Sequence, residues 1–405
     1  MAAAVADAHR REWAFVLAAT VRVTRDIDLA EECVQDAYAR ALASWGTSGV
    51  PAKPGAWLTT VARRRALDLL RRDTVLRSRL PLLVQDEADD PVEPEEFPDD
   101  RLRLVFTCCH PALAQDAQVA LTLRLICGLS TAEVARAFLI SEPTMAARIT
   151  RAKKKIAAAR IPYRVPSADQ LPERIAAVLD VVHLLFTTGH TAPAGSDLVR
   201  ADLVERALDL ARMLRMLLPG DADVAGLLAL LVLTDARRET RVDDDGRLLL
   251  LADQDRSRWD HNAIAGGIAL VREALRLRPP SRYALQAAIA AVHAEAPSWE
   301  HTDWAEIVGL YDALVAIWPS PVVSLNRAVA IGFAHGPAAG LAELDALAAE
   351  PQLAGYGYLA SSRAEFLHRL GRDDESRTAF EEALLLTENE VERRFLADRL
   401  SALSD

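Results

Sequence analysis

The stretch from Asp28 to Arg72 restricts the fold of this chain more than any other, because its apolar residues recur with helical spacing on two consecutive segments. In the first segment they follow the pattern i, i+3, i+4, i+7, which buries one face of a helix. These residues are Ala30, Val34, Ala37, Tyr38, Ala41, Leu42 and Trp45. The inward residues of the second segment are Trp57, Leu58, Val61, Ala62 and Leu69. The pattern predicts two amphipathic helices joined by a Gly/Pro loop.

The polar faces of these two helices differ in charge. In the first helix Glu32, Asp36 and Arg40 are spaced four residues apart and share one face, with Gln35 beside them. The polar positions of the second helix are crowded by Arg63, Arg64, Arg65, Arg71 and Arg72. An acidic, polar face next to an arginine face on one compact unit predicts two macromolecular partners, a protein and a nucleic acid.

The composition favours an all-α fold. Hydrophobic residues make up 51% of the 405 positions, Ala and Leu dominate, and the alternating Val/Ile/Thr/Tyr runs that strands need are missing. This length allows two or three domains. The sequence has no apolar run of about 18 residues that could span a membrane and no signal-peptide core. Its four cysteines give no disulfide framework, so a cytoplasmic protein is expected.

The net charge of −11 is distributed unevenly. Residues 1–164 contain 24 Lys/Arg and 21 Asp/Glu, and nine of these acids lie within Asp86–Asp100. Residues 165–405 contain 23 Lys/Arg and 37 Asp/Glu. A basic N-terminal part and an acidic C-terminal part predict different partners. The acidic segment contains prolines and is interpreted as a flexible tether, the alternative being a nucleic-acid mimic that occupies a basic channel.

A second basic region, at residues 101–160, is predicted to contain a helix-turn-helix. Ser130 and Glu133 form a capping box that starts a short helix, and Ser141 caps the next helix, with Pro143 in its first turn. The buried side of this second helix consists of Met145, Ile149 and Ile156, and the opposite side of Thr144, Arg148, Arg151 and Lys155. A short helix, a tight turn and a basic second helix together predict DNA binding.

The last part of the chain is periodic. Residues 283–320, 321–355 and 356–390 are each predicted to form a helix pair of 35–38 residues. The dipeptides Arg327-Ala328 and Arg363-Ala364 occupy matching places 36 residues apart. The period and the helix pairs resemble a tetratricopeptide repeat.

Three other groups of residues are candidate sites: the cysteines, the histidines and one charged run. Adjacent cysteines rarely ligate one ion, so Cys108, Cys109 and Cys127 are interpreted first as structural, then as a redox switch, and last as zinc ligands. The histidines without a partner pattern, interpreted as structural, are His183, His190, His293 and His301. The charged run Asp253–His261 predicts an internal salt-bridge knot, with a binding site as the alternative. No phosphate-binding glycine loop, nucleophile elbow or metal-spaced cluster is present, so we expect neither an enzyme nor a cofactor or metal.

Three stretches together resemble the sigma-70-type RNA polymerase sigma factors: EECVQDAYARAL, PGAWLTTVARRRALDLLRR and the helix-turn-helix at 128–155. The extracytoplasmic-function (ECF) group fits, because it keeps only the second and fourth sigma domains. Three further stretches look like the ECF subgroup with a tetratricopeptide-like C-terminal extension: FTCCHPALA, LTLRLICGLSTAEVARAF and DQDRSRWD. The implied organisation is sigma domain 2 at 1–74, an acidic linker at 75–100, sigma domain 4 at 101–164, a helical extension at 165–281 and repeats at 282–405.

The resemblance also implies roles for single residues. The first helix of the opening stretch would bind the largest polymerase subunit through Glu32, Gln35, Asp36 and Arg40. The loop Gly46–Lys53 would capture a flipped base of the melted minus-ten element, and nearby phosphates would be held by Arg63, Arg64, Arg71 and Arg72. Trp45 and Trp57 could stack on bases, but their spacing favours core packing.

The recognition helix would enter the major groove at the minus-thirty-five element. Its candidate contacts are Thr144, Arg148, Arg151, Lys154 and Lys155. Arg148 and Arg151 are the candidates for base edges, since an arginine matches the two acceptors of guanine, whereas the lysines are expected on phosphates.

The chain is thus predicted to bind core RNA polymerase and promoter DNA and to start transcription in the cytoplasm, on the nucleoid when bound to polymerase. The C-terminal module is expected to regulate this activity, with a signalling protein as a candidate partner. Two alternatives remain open: a stand-alone DNA-binding regulator that uses only the helix-turn-helix, and a scaffold in which the repeats are the main function.

Overall fold

The structure is a computed structural model that describes residues 2–78, 100–138, 140–167, 169–276 and 280–403. Most of the predicted acidic linker lies outside these residues. The interpretation of its acidic segment as a flexible tether or a nucleic-acid mimic therefore stays a prediction. The described part of the chain contains 18 α-helices and two strands of two residues each, so the predicted all-α fold is confirmed. It divides into two compact units, unit 1 at Met1–Val181 and unit 2 at Val182–Asp405.

Unit 1 begins with three long helices. These are α1 (Ala2–Thr24), α2 (Ile27–Ser48) and α3 (Pro54–Ser78). Four shorter ones follow, namely α4 (Asp100–Cys108), α5 (Gln115–Leu121), α6 (Thr131–Ala137) and α7 (Glu142–Ala158). Between α5 and α6 the chain makes one π-helical turn at Thr122–Ile126. The next helix, α8 (Leu171–His190), continues from unit 1 into unit 2.

The two helices predicted from the opening stretch are present and longer than expected. The side chain of Asp26 caps α2 by accepting a hydrogen bond from the N–H of Leu29, so the helix begins before Asp28. It continues through Gly46 to Ser48 and is followed by the cap residue Gly49, whose φ of +79° suits a residue without a side chain. The predicted loop Gly46–Lys53 is therefore shorter, because its first three residues are helical.

The predicted helix-turn-helix is confirmed in its local details. Ser130 and Glu133 form the complete capping box of α6, and the side chain of Ser141 caps α7, which carries Pro143 in its first turn. The predicted apolar side of α7 is buried, because Met145, Ile149 and Ile156 are at most 8% exposed. The chemistry at the helix starts was sufficient to place this motif.

Unit 2 continues with ten further helices in the described residues. They are α9 (Ala201–Leu217), α10 (Ala222–Asp235), α11 (His261–Arg276), α12 (Arg282–Glu295), α13 (Trp304–Ile317), α14 (Pro321–His335), α15 (Pro337–Ala346), α16 (Gly357–Arg369), α17 (Asp373–Leu386) and α18 (Glu390–Ala402). The three predicted helix pairs correspond to α12 with α13, α14 with α15, and α16 with α17. Ala328 and Ala364, the matched positions of the period, are both fully buried.

A short parallel bridge joins the beginning and the end of unit 2. Strand β1 (Ala194–Gly195) pairs with β2 (Glu388–Asn389). The fully buried amide of Asn389 donates to the carbonyls of Ala192 and Asp197, at 3.0 and 2.9 Å. The same side chain caps α18 by accepting from the N–H of Val391. One asparagine therefore satisfies the backbone of two segments that are far apart in sequence.

Candidate functional site

The polar face of α2 lies in solvent. Glu32, Gln35 and Arg40 are exposed on it. Asp36 is partly covered, because its carboxylate accepts a hydrogen bond from Nε of Arg65 on α3 at 2.8 Å. The predicted polymerase-binding face is therefore open at three of its four residues, and the fourth is tied to the arginine helix.

The predicted contacts to melted DNA lie on the same helix pair. Lys53, at the end of the loop, is exposed, as are Arg63, Arg64, Arg71 and Arg72 on α3. Beneath them Trp45 is 1% exposed and meets the ring of Trp57 edge to face, with centroids 5.5 Å apart. The expectation of core packing is thus confirmed for Trp45, while Trp57 is half-buried beside it.

The outer side of α7 carries the predicted promoter contacts. Arg151, Lys154 and Lys155 are exposed, and Thr144 is exposed with its hydroxyl 2.7 Å from that of Ser141, within the cap of the helix. Arg148 is less free. Its Nη1 lies 3.2 Å from a carboxylate oxygen of Asp116, and its guanidinium lies over the ring of Phe138. Arg148 would have to leave Asp116 before it could bind a base.

The inner side of α7 contacts α2 through a buried cluster of charges. The carboxylate of Glu31, 5% exposed, forms ion pairs with Lys153 and, at 2.8 Å, with Arg124. Nζ of Lys153 also donates to Asp28, at 2.6 Å. Burial lowers the pKa of Lys153, but Glu31 and Asp28 outweigh this effect and raise the pKa above its usual value. Lys153 is therefore held charged between the two halves of unit 1.

Uncharged contacts join the same two halves. The indole N–H of Trp13 on α1 donates to the carbonyl of Leu125 at 3.0 Å, and the hydroxyl of Tyr163 donates to the carbonyl of Ala18 at 2.8 Å. At Gly128, where φ is +71°, a Cβ would lie 2.9 Å from the ring of Trp13. Only glycine allows the chain before α6 to approach α1 this closely.

The sequence reasoning missed Glu31 and Lys153, although a signal was present. Glu31 precedes Val34 by three residues and Tyr38 by seven, so it lies on the apolar side of α2. Lys153 follows Ile149 by four and precedes Ile156 by three, which places it on the buried side of α7. Two opposite charges on two apolar stripes indicate that the stripes meet.

The cysteines form neither disulfides nor a metal cluster in the described residues. Cys33, Cys108, Cys109 and Cys127 are all buried. Burial raises the pKa of Cys109 to about 11 and that of Cys108 well above its usual value, which opposes formation of a reactive thiolate. The described part of the chain holds no group of three His, Cys, Asp or Glu residues suited to a metal ion. Within that part, no helix is long and apolar enough to cross a membrane.

The predicted salt-bridge knot at Asp253–His261 is wrong, since none of its charges forms an ion pair with a described residue. Arg256 instead donates to the carbonyls of His293 and Ala296, at 2.6 and 2.8 Å, and lies over the ring of Trp259. Two of the acids cap helices: Asp255 accepts from the N–H of Ser257 in a short turn, and Asp260 accepts from the N–H of Ala263 at the start of α11. These charged side chains therefore form hydrogen bonds with backbone groups rather than ion pairs with opposite charges.

Three of the four histidines that were expected to be structural, His183, His190 and His293, have strongly lowered pKa values. Burial lowers the pKa of His183 to about 4; burial and the charges of Arg241, Arg237 and Arg238 lower that of His190 to about 2. Burial, with Arg237 and Arg256, lowers the pKa of His293 to about 4. These rings are neutral in the folded protein.

Comparison with known proteins agrees with this geometry. Residues 9–75 match sigma-70 region 2, and residues 103–156 match sigma-70 region 4. The first match covers α2 and α3, and the second covers the helix-turn-helix. The chain belongs to the sigma-70 family of sigma factors, which recognise promoters and initiate transcription, with core RNA polymerase and promoter DNA as partners.

The C-terminal part of the chain is shared with other proteins as well. Residues 174–275 match a family of unknown function, DUF6596. An uncharacterized protein of Rhizobium meliloti (strain 1021) is 42% identical over 395 residues, which cover 96% of this chain and 93% of the relative. The sigma regions and the extension therefore occur together in that protein.

Proposed function

We propose that this protein is an ECF sigma factor that acts in the cytoplasm and that its tetratricopeptide-like C-terminal module regulates its activity. The observation that carries the proposal is the helix pair α2 and α3, which exposes a polar face on one helix and an arginine face on the other. A regulator that needs only a helix-turn-helix has no use for this pair. On polymerase, the protein would associate with the nucleoid.

The polar face of α2 is the proposed polymerase-binding surface. Glu32, Gln35 and Arg40 are exposed there, and Asp36 pairs with Arg65 of α3. Such charged surfaces steer a partner and set the register of the complex. In this assignment Asp36 contributes in part through Arg65.

The arginine face is the proposed surface for the melted minus-ten element. Lys53 and Arg63, Arg64, Arg71 and Arg72 supply positive charge for a single-stranded backbone. Because Trp45 is buried, base recognition falls to the loop after α2 rather than to that ring. Each phosphate contact adds to the salt dependence of binding.

The helix α7 is the proposed reader of the minus-thirty-five element. Arg151 is exposed and Arg148 is held by Asp116, so Arg151 is the better-placed residue for contacts with base edges. The DNA backbone would be contacted by Thr144, Lys154 and Lys155. A bidentate arginine contact to guanine discriminates by about 1–3 kcal/mol.

Unit 2 is the proposed regulatory module. Its consecutive helix pairs are tied by charged contacts, since Arg327 pairs with Asp312 at 2.6 Å and Arg363 pairs with Asp345 at 2.8 Å. Stacked helix pairs offer an extended surface to protein segments, and a signalling protein is the proposed partner. A chain that ends after Val181 tests this role: unchanged promoter activity in cells would contradict it.

Run-off transcription with core polymerase tests the sigma function. The full chain is expected to produce promoter-specific transcripts, and Glu32→Arg is expected to reduce them at least tenfold by weakening polymerase binding. Arg10→Glu, which reverses an exposed charge on α1, is the matched control. DNA binding without any transcript would support the stand-alone regulator. Partners recovered from cells without polymerase would support the scaffold.

A further inference from the structure

Unit 2 contains a cavity of about 360 Å³ that the sigma function does not explain. Residues of α12, α13, α14, α16, α17 and α18 line it, together with the segment Leu250–Ala252. This volume falls in the range of natural small-molecule sites. The cavity lies between successive helix pairs, where an occupant would contact several of them at once.

One wall of the cavity is aromatic. Trp304 stacks on Phe333 with ring centroids 4.6 Å apart, and Trp299 meets both rings edge to face at 4.9 and 5.0 Å. Neither indole N–H of Trp299 or Trp304 has an acceptor among the described residues. Flat apolar surfaces with unused N–H donors suit an aromatic ligand that carries an acceptor.

The charged groups of the lining carry a net positive charge. Glu365 accepts one hydrogen bond from Nε of Arg369, at 2.9 Å, and another from Arg399. These three are the only charged residues that line the cavity in the described part of the chain, and His293, also in the lining, is neutral. Each guanidinium has five N–H donors, so most donors remain after Glu365 has been satisfied.

Glu365 also orients the two arginines. Burial raises the pKa of its carboxyl, but the hydrogen bond from Arg369 and the charge of Arg399 outweigh that effect and hold the pKa below its usual value. The ionised carboxylate fixes Arg369, whose guanidinium lies 4.8 Å from the ring centroid of Phe333. A cation is thereby held at the edge of the aromatic wall.

We propose that this cavity binds a small aromatic carboxylate, with its ring against Trp304 and Phe333 and its carboxylate on Arg369 and Arg399. The ring gains from stacking and burial of apolar surface. The carboxylate compensates the excess positive charge with charge-assisted hydrogen bonds. A cationic or neutral ligand of the same shape lacks this second contribution.

Calorimetry on the full chain tests the proposal with 1-naphthoate as the probe. We expect saturable binding with a dissociation constant below about 1 mM. The neutral analogue 1-naphthamide and the cation 1-naphthylmethylamine are expected to bind at least tenfold more weakly. Equal or tighter binding of either analogue, or no binding of naphthoate at about 5 mM, would overturn the proposal.

Two substitutions with opposite expected signs locate the site. Arg369→Gln is expected to weaken naphthoate binding about tenfold, because a charged donor is lost. Glu365→Gln is expected to strengthen it severalfold, because the amide oxygen can still accept from Arg369 and keep it oriented while the negative charge of the lining is removed. Arg394→Gln, at an exposed position of α18 outside the lining, is expected to change nothing.

Folding of each variant is checked by circular dichroism and thermal melting. A loss of binding in Arg394→Gln equal to that in Arg369→Gln would place the ligand elsewhere and overturn the assignment. If Arg369→Gln does not fold, Glu365→Gln decides alone: tighter binding supports the proposal, and unchanged or weaker binding contradicts it.

Discussion

Four exposed arginines of unit 1 differ from two arginines of unit 2 in what their donors bind. In unit 1, Arg63, Arg64, Arg71 and Arg72 lie on the exposed face of α3. In unit 2, Arg241 and Arg256 turn inward and donate to backbone carbonyls, those of His190 and of His293 and Ala296. Burial lowers the pKa of Arg241 to about 10, below its usual value.

Exposed arginines are available to bind a partner, whereas buried arginines stabilise the fold. An exposed arginine keeps its donors for a polyanion, whereas Arg241 and Arg256 use theirs on carbonyls at the C-terminal ends of α8 and α12, which have no partner within the helix. The charge balance of a segment therefore does not tell which of its charges are available. The four predictions below test the contrast, and the largest expected effect comes first.

Acidification is expected to destabilise unit 2. His183, His190 and His293 have lowered pKa values of about 4, about 2 and about 4 in the folded chain, whereas an unfolded histidine titrates near about 6.5. The unfolded state therefore binds more protons as the pH falls below about 6.5. Between pH 7.5 and 5.5 the loss of unfolding free energy should reach up to about 4 kcal/mol.

Urea unfolding at the two pH values measures this loss, and hydrogen exchange assigns it to unit 2. His183→Phe should remove about a third of the pH dependence, since the ring keeps its packing on Tyr283 without titrating. His335→Gln, at an exposed position, is the control. Equal stability at both pH values would show that these rings are not held neutral.

Substitutions of the neighbours Glu31 and Glu32 are expected to affect different properties, stability for Glu31 and polymerase binding for Glu32. Glu31→Gln leaves Lys153 and Arg124 without their buried carboxylate and should cost unit 1 about 3 kcal/mol of unfolding free energy. Glu32→Gln, at an exposed position, should change stability by less than about 0.5 kcal/mol and instead weaken polymerase binding. Chemical denaturation and a polymerase-binding assay on both variants compare them. Equal stability losses would refute the distinction.

Arg256→Gln is expected to destabilise unit 2 by about 2 kcal/mol. The change removes the donors that satisfy two carbonyls and the contact with Trp259. Arg258→Gln removes the same charge from an exposed position two residues away and should have almost no effect. Thermal unfolding distinguishes the two variants. If both were equally harmful, charge rather than carbonyl satisfaction would be the cause.

Arg64→Gln is expected to have the smallest effect, on DNA binding alone. Loss of one phosphate contact to the single strand should reduce the slope of log K against log[salt] by up to about 0.7, with the fold unchanged. Fluorescence anisotropy of the polymerase complex on minus-ten DNA over a salt series measures this slope. Arg10→Gln, an exposed arginine on α1, should leave it unaltered. An unchanged slope in Arg64→Gln would remove that residue from the DNA surface.

Local signals in the sequence predicted much of this fold. The capping box at Ser130, the cap at Ser141 and the apolar stripe of α2 each lie within a few residues of the structure they specify. The contact of Trp13 with Leu125 joins residues 112 positions apart, and no local period encodes such a contact. The same limit explains why the knot at Asp253–His261 was wrong: its real acceptors, the carbonyls of His293 and Ala296, are distant backbone atoms.

The contact of Lys153 with Asp28 and Glu31 has a consequence for promoter binding. By their names the two promoter elements are roughly 25 base pairs apart, or about 85 Å of straight duplex. In the proposed roles, α3 and the loop after α2 contact the minus-ten element and α7 contacts the minus-thirty-five element. With 22, 25 and 17 residues, α2, α3 and α7 are about 33, about 38 and about 26 Å long, so under these roles the contact between α2 and α7 must open before both elements are bound. In that case the free energy of the contact is subtracted from promoter affinity, about tenfold for each 1.4 kcal/mol. Any factor that loosens Lys153 would then strengthen promoter binding without contacting DNA.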